Sequence, residues 1–394
     1  MNWWSVLLSA GVLAACCSCY DALQLSNVTI SEEKNELDVV QTASRSGRFF
    51  PFYTIGRIAN VPCTSPSGLT GTCLIAGECK DNGGLASGSC SSRTNQAVCC
   101  VYTQSCGGST NLNSTYFTNA GYPGPYAGGG TCTFTITPSS GICQLRIDFR
   151  TLTLSQPTGD GSCNTDRLTI VGSSPAVVPI CGENTGQHLY VNFVGSGPIS
   201  LRIATNADVS FNRLWNIELS QIACASAERA PAGCLQYYTE SSGEISSLNY
   251  GLGENPLTNA AGARGSRQLA NTNYGICIRT AAGQCSVTYS LPPEDRFAFT
   301  VTGDAVAVDP ALLGMSMLSL SGAACGTDFV IIPNPTGLAS DRFCGLGFPG
   351  VTIGSSAGST RPFVLYTVTN GNETPDAANR GFRLLYKQNA CAAA

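Results

Sequence analysis

The stretch Cys163-Asn164-Thr165-Asp166-Arg167-Leu168-Thr169-Ile170, closed by Cys181-Gly182, recurs as Cys325-Gly326-Thr327-Asp328-Phe329-Val330-Ile331-Ile332, closed by Cys344-Gly345. In each copy a cysteine leads through an aspartate into a short apolar strand, and a second cysteine returns just before a glycine. Bridging a loop of this size stabilises by about 3 kcal/mol through lost freedom of the unfolded chain. Repetition of the unit points to two related, disulfide-pinned modules rather than one large enzyme domain.

The 394 residues are enough for two or three domains. Net charge is −4 with only 12% charged residues, so no basic surface invites nucleic acid. The 44 glycines, with abundant Ser, Thr and Asn, imply many turns in an extracellular all-β chain. Three of the 21 cysteines (Cys16, Cys17, Cys19) fall in the N-terminal apolar stretch. The other eighteen form three blocks of six: Cys63 to Cys100, Cys106 to Cys224 and Cys234 to Cys391. An even count per block suits separate disulfide frameworks, which persist only in oxidising compartments.

Residues 1–22 read as a cleaved signal peptide, with an apolar run from Trp3 to Ala15 followed by small residues. No stretch is long enough for a spanning helix. Residues 23–60 form a polar linker or pro-segment, in which Arg45-Ser-Gly-Arg48 is either a processing site or two solvated arginines. Phe49-Phe-Pro-Phe52-Tyr53 is too apolar to be left in water.

Cys63, Cys73, Cys79, Cys90, Cys99 and Cys100 crowd into residues 61–101, too short a span for a core without staples. No histidine and no paired Cys-x-x-Cys accompany them, so disulfides are expected over zinc. Alternating strands follow within 104–224: Thr131–Thr137, Cys143–Phe149, Leu189–Phe193, Ile199–Ile203 and Trp215–Leu219. A nine-residue linker, Ala225 to Gly233, leads to 233–391, which repeats the pattern at Cys285–Tyr289, Phe297–Val301, Phe363–Tyr366 and Phe382–Tyr386. The Gly/Asn-rich excursion from Asn249 to Gly265 reads as a large loop. One buried face per sheet predicts antiparallel β-sandwiches.

Cys106-Gly-Gly, Tyr122-Pro-Gly-Pro-Tyr126, Cys132, Cys163-Asn-Thr-Asp166 and Cys181-Gly182 together resemble a CUB domain. Cys325-Gly-Thr-Asp328, Cys344-Gly345 and Gly381-Phe382-Arg-Leu-Leu-Tyr386 resemble a more divergent one. Gly71-Thr-Cys73, Gly83-Gly84 and Cys99-Cys100 look like the clip-like module of arthropod secreted proteins. The whole is similar to an arthropod family of secreted CUB-domain proteins, with Asn184-Thr-Gly-Gln-His-Leu-Tyr190, Trp215-Asn-Ile217, Gly233-Cys-Leu-Gln-Tyr237 and Ile276-Cys-Ile-Arg279 as further points of likeness. The expected architecture is a clip-like module at 61–101, a first jelly-roll-like CUB sandwich at 104–224 and a second at 233–391.

The resemblance implies the pairs Cys106–Cys132, Cys163–Cys181 and Cys143–Cys224 in the first sandwich. In the second it implies Cys234–Cys277, Cys325–Cys344 and Cys285–Cys391, and in the clip-like block Cys63–Cys99, Cys73–Cys90 and Cys79–Cys100. Spacing alone leaves about fifteen connectivities open per block.

Many CUB domains bind calcium through a glutamate and two aspartates, and use it to orient a loop that grips a partner's lysine. By that likeness Asp166 and Asp208 are candidate ligands, with Asp160 standing where a glutamate is missing. Asp166 as a plain turn cap is the bland alternative. In the second module Asp328 with Glu373 or Asp376 is the corresponding set. His188, the only histidine, alternates away from Leu189 and Val191 and is expected on a polar surface. No nucleophile motif accompanies it, so no enzyme is expected. The ending Cys391-Ala-Ala-Ala394 fits a prenylation box only formally, since a secreted chain does not meet the enzymes that read it. Asn27, Asn113 and Asn372 open N-glycosylation sequons.

The expected function is extracellular binding of a protein or glycan through the sandwich loops. The alternatives are a non-catalytic regulatory partner in a serine-protease cascade and a structural matrix or cuticle component. Non-reducing peptide mapping of the secreted protein should find no free thiol among the eighteen cysteines and no bridge between blocks; a bridge between blocks would refute separate modules.

Overall fold

The computed structural model describes residues 61–90, 97–208, 211–251, 266–354, 362–374 and 378–391, all within one compact unit, Ile58–Ala394. The signal and linker segments (with Asn27, Arg48 and the Phe49–Tyr53 run), most of the 249–265 excursion, Asp376 and Ala392–Ala394 lie outside the described residues. Among the described residues the strands form four sheets of nine, four, six and five strands. One short α-helix, Ala76–Asp81, buries Cys79. Among the described residues no helix is long and apolar enough to cross a membrane.

Period-two patterning builds both sandwiches. In the strand Thr131–Ile136, Cys132, Phe134 and Ile136 point inward and the threonines outward. Its partner Ile199–Ala204 sets Leu201 opposite Phe134. From the facing sheet Ile142–Thr153 contributes Leu145, Ile147 and Phe149, and Leu214–Ala223 contributes Trp215, Ile217 and Leu219. The Trp215 indole, wholly buried, lies 5.4 Å from Tyr126 and 6.1 Å from Phe117, within the range of favourable ring pairs. The second sandwich packs Phe299 on Phe348 at 5.0 Å, with Val287, Tyr289, Leu365 and Leu384 around them.

Nine disulfides pin these layers. They join Cys63–Cys99, Cys73–Cys90 and Cys79–Cys100 in the N-terminal module. The first sandwich holds Cys106–Cys132, Cys143–Cys224 and Cys163–Cys181. The second holds Cys234–Cys277, Cys285–Cys391 and Cys325–Cys344.

Two junctions were invisible in the sequence. The strand Ala97–Gln104 begins in the disulfide-rich module, against Thr70–Ile75, and runs through the boundary expected after residue 101. It then pairs in parallel with Thr115–Thr118, setting Tyr102 opposite Thr115 and Gln104 opposite Phe117. The small module and the first sandwich therefore share one nine-stranded sheet. Tyr116 adds to the seam by accepting a hydrogen bond from Thr70 N–H at 2.7 Å.

The second junction lies between the sandwiches. Asn249, fully buried, accepts from Glu183 N–H at 2.7 Å and donates to Gln156 Oε1 and the Arg267 carbonyl at 3.0 and 2.6 Å. A Cβ on Gly182 would collide with the Asn249 side chain, so the Cys181-Gly182 pair needs its glycine for this approach. Nearby, Ala270 N–H donates to the Gly161 carbonyl at 3.0 Å and Glu373 N–H to the Asp160 carbonyl at 3.1 Å. The Asn249 backbone sits at φ 63°, which glycine adopts without strain. Asn249→Gly therefore isolates the loss of three side-chain hydrogen bonds. It should lower stability in chemical denaturation of the full chain by on the order of 3 kcal/mol, whereas a loss under about 0.5 kcal/mol would mean that Asn249 does not hold the sandwiches together.

Candidate functional site

The repeated aspartates lie in equivalent places and meet different partners. Asp166, 1% exposed, precedes the strand Arg167–Val171. Its Oδ2 accepts from Ser155 N–H at 2.9 Å and from the Ser155 hydroxyl, and its Oδ1 from Asn206 N–H at 3.1 Å. The Arg213 guanidinium closes the site, with Nε and Nη2 donating to the two carboxylate oxygens at 2.8 and 3.0 Å. Its remaining donors reach the carbonyls of Ala127 at 2.5 Å, Phe211 at 3.0 Å and Asn206 at 2.9 Å. All five guanidinium N–H groups are thereby used, in a side chain with no exposure. Burial alone would push the Asp166 carboxyl up, but Arg213 and the Ser155 donors override it and hold the group below the usual carboxylate range.

This arrangement corrects the calcium expectation for the first sandwich. Asp160 is engaged locally, accepting from the Thr158 hydroxyl at 2.6 Å and the Ser162 hydroxyl at 3.0 Å. Asp208 is exposed, and its N–H donates to Asn206 Oδ1 at 2.7 Å. Asp166, Asp208 and Asp160 do not converge. Among the described residues the one group of three potential metal-binding side chains within mutual reach is Cys63, Cys73 and Cys90, all consumed in disulfides. A guanidinium already neutralises Asp166, so the residues present do not fit a divalent ion there.

The second sandwich differs. Asp328, also 1% exposed, accepts from Asn370 N–H at 2.7 Å through Oδ1, and its carboxyl meets the side chains of Thr327 and Glu373. The fully buried Glu373 carboxyl lies against it and takes a hydrogen bond from Gln268 Nε2 at 2.9 Å. Burial pushes the Asp328 carboxyl up. Two buried acids in contact need a shared proton or a cation between them. Calcium takes about six to eight hard oxygens, and among the described residues no third acidic side chain joins Asp328 and Glu373, so the pair is read as sharing a proton.

His188 is a second correction. It is 8% exposed, and its Nε2 lies 2.9 Å from the Tyr237 carbonyl and 3.1 Å from the Tyr237 N–H. Tyr190 and Tyr238 stand edge-on to its ring at 5.6 and 4.8 Å. The alternation that set His188 opposite Leu189 holds, yet the second sandwich covers that outer side of the strand. Gln144 and Gln187 join the same contact, the former with Ala230 N–H at 2.8 Å and the latter with the Ser247 carbonyl at 2.8 Å. The histidine is therefore buried at the contact between the sandwiches and does not lie on a polar surface.

Of the sequons, Asn113 and Asn372 are both exposed and use Oδ1 as an acceptor, from Gln221 N–H at 2.7 Å and Thr374 N–H at 3.0 Å. No motif marks Arg213 or Asn249. The one available signal was a lone arginine directly ahead of the apolar run Leu214-Trp215-Asn216-Ile217.

Burial, reinforced by the nearby Arg146 charge and opposed by Asp148 and the Tyr237 carbonyl, lowers the His188 pKa from 6.5 to about 4. The folded form thus disfavours the imidazolium. Its stability is complete above pH 6.5 and is lost as pH falls towards 4, by on the order of 3 kcal/mol. Denaturation of wild type and His188→Gln across this range should show that extra loss in wild type only; parallel pH profiles would contradict it.

Comparison with family profiles matches residues 106–213 to the CUB domain and residues 231–389 to the animal CUB domain. Comparison with curated proteins returns no match. Among solved structures, the CUB1-EGF-CUB2 domains of rat MASP-1 are similar at 14% identity, covering 73% of this chain and all of that one, with a TM-score of 0.25. The corresponding human MASP-1/3 domains match at 14% identity, covering 71% and 100%, with a TM-score of 0.24. The MASP-1 CUB2 domain bound to Ca2+ matches at 21% identity over 29% of this chain and 98% of that one, with a TM-score of 0.25. From the profile matches together with the two sandwiches and their repeated cysteine–aspartate units, the chain carries two CUB domains in tandem behind a disulfide-rich N-terminal region.

Proposed function

We propose that this is a secreted, non-enzymatic protein that binds a protein partner with the loops at the Arg213 end of the first CUB domain. The observation that carries the reading is an end that is fixed inside and open outside. Arg213 ties the segment around Ala127 to that around Asn206, while Tyr122 remains 37% exposed and Asp208 is exposed. Loops held by a rigid scaffold but facing solvent are where binding is usually placed. The nine disulfides support an oxidising, extracellular setting.

The test is affinity capture from extracellular fluid on the immobilised full chain. Tyr122→Ala with Asp208→Ala should cut retention of the captured protein by about tenfold or more, as expected of truncated interface anchors. Lys387→Ala, an exposed change on the second domain, should leave it intact. Equal retention by all three proteins would overturn the assignment of these loops.

A further inference from the structure

We infer that Arg213 is the resident cation of the first CUB domain, so that the loop end of this domain is assembled by a side chain and is indifferent to divalent metal. The inference holds whichever partner the loops take.

The argument begins with the ligand set. A metal ion at Asp166 would have to gather a carboxylate and oxygens from neighbouring loops. The guanidinium gathers such a set: both Asp166 oxygens and the carbonyls of Ala127, Asn206 and Phe211. Its planar fork matches a carboxylate in a way that a spherical ion does not.

The backbone is shaped to admit it. Gly128 sits at φ +104°, and a Cβ there would come within 2.5 Å of Arg213 Nη1 and 2.9 Å of the Asn206 carbonyl. Only the missing side chain leaves room for the guanidinium. Arg213 is also fixed at its own backbone, which exchanges hydrogen bonds with Tyr126 at 2.7 and 3.1 Å.

Displacement by a divalent ion is unfavourable on two counts. The guanidinium would be left charged in a site buried from solvent, and five hydrogen bonds would be lost together. At the equivalent place in the second domain Asp328 meets Glu373 instead of an arginine. The tandem thus divides the work: one aspartate is neutralised permanently, the other by the proton it shares with Glu373.

The test is amide hydrogen exchange on the full chain in millimolar calcium and in chelator. The Ser155 and Asn206 amides donate directly to Asp166 and report on the site. Their rates should agree within about twofold in the two conditions, and calcium slowing either by about tenfold or more would overturn the inference. Asn370, which donates to Asp328, reports separately on calcium in the second domain. Its silence would count against calcium there without touching Arg213.

Arg213→Ala should speed exchange at Ser155 and Asn206 by at least about tenfold, with protection partly restored by millimolar methylguanidinium. Gly128→Ala leaves every charge in place but sets a Cβ against both the fork and the Asn206 carbonyl, so Ser155 is its reporter, and exchange there should quicken in the same way. Unchanged protection in both variants would refute the role. If neither variant folds, the calcium comparison on the wild type decides.

Discussion

The outer side of the strand His188–Phe193 carries a histidine and a tyrosine that the structure keeps dry, and the second CUB domain is what dries them. Tyr190 is 3% exposed and lies 6.0 Å from Tyr237, its ring edge-on. Gln144, Gln187 and Asn249 satisfy the backbone groups trapped with these rings. Buried polar groups are tolerable only when bonded, so the contact holds one geometry and resists sliding. The position of each loop of the second domain against the first follows from it, including the segment that carries Glu373.

Inside each domain the same logic gives a different answer. An aspartate at the mouth of a β-sandwich is costly to bury unless something compensates its charge. The first domain supplies a guanidinium, whereas the second sets another acid beside the aspartate, so the pair needs a proton to be neutral, although both sites occupy the same place in the repeated unit. Fold similarity therefore does not carry ion chemistry with it. What decides is one residue brought in from the far side of the loop cluster.

That distance explains what the sequence revealed. The all-β class was readable because Cys132, Phe134 and Ile136 alternate with threonines, and a period of two needs no long-range knowledge. The repeated cysteine–aspartate unit was readable because it is local. The partner of Asp166 was not, since Arg213 lies 47 residues on with no motif around it. His188 was placed correctly on the outer side of its strand, but which surface lies opposite is a property of the assembled tandem. The continuous strand Ala97–Gln104 was hidden because a dense cysteine block ends within it, so the composition change looked like a boundary.

That strand makes the join between the small module and the first CUB domain a seam, not a hinge. Backbone pairing at Tyr102–Gln104 does not depend on side-chain identity, so sequence drift on either side leaves it closed. Cutting the gene at Cys106 would strip Thr115–Thr118 of its neighbour and turn an interior strand into a raw edge, the kind that recruits other chains. Any dissection of this protein into pieces has to keep residues 61 to 224 together.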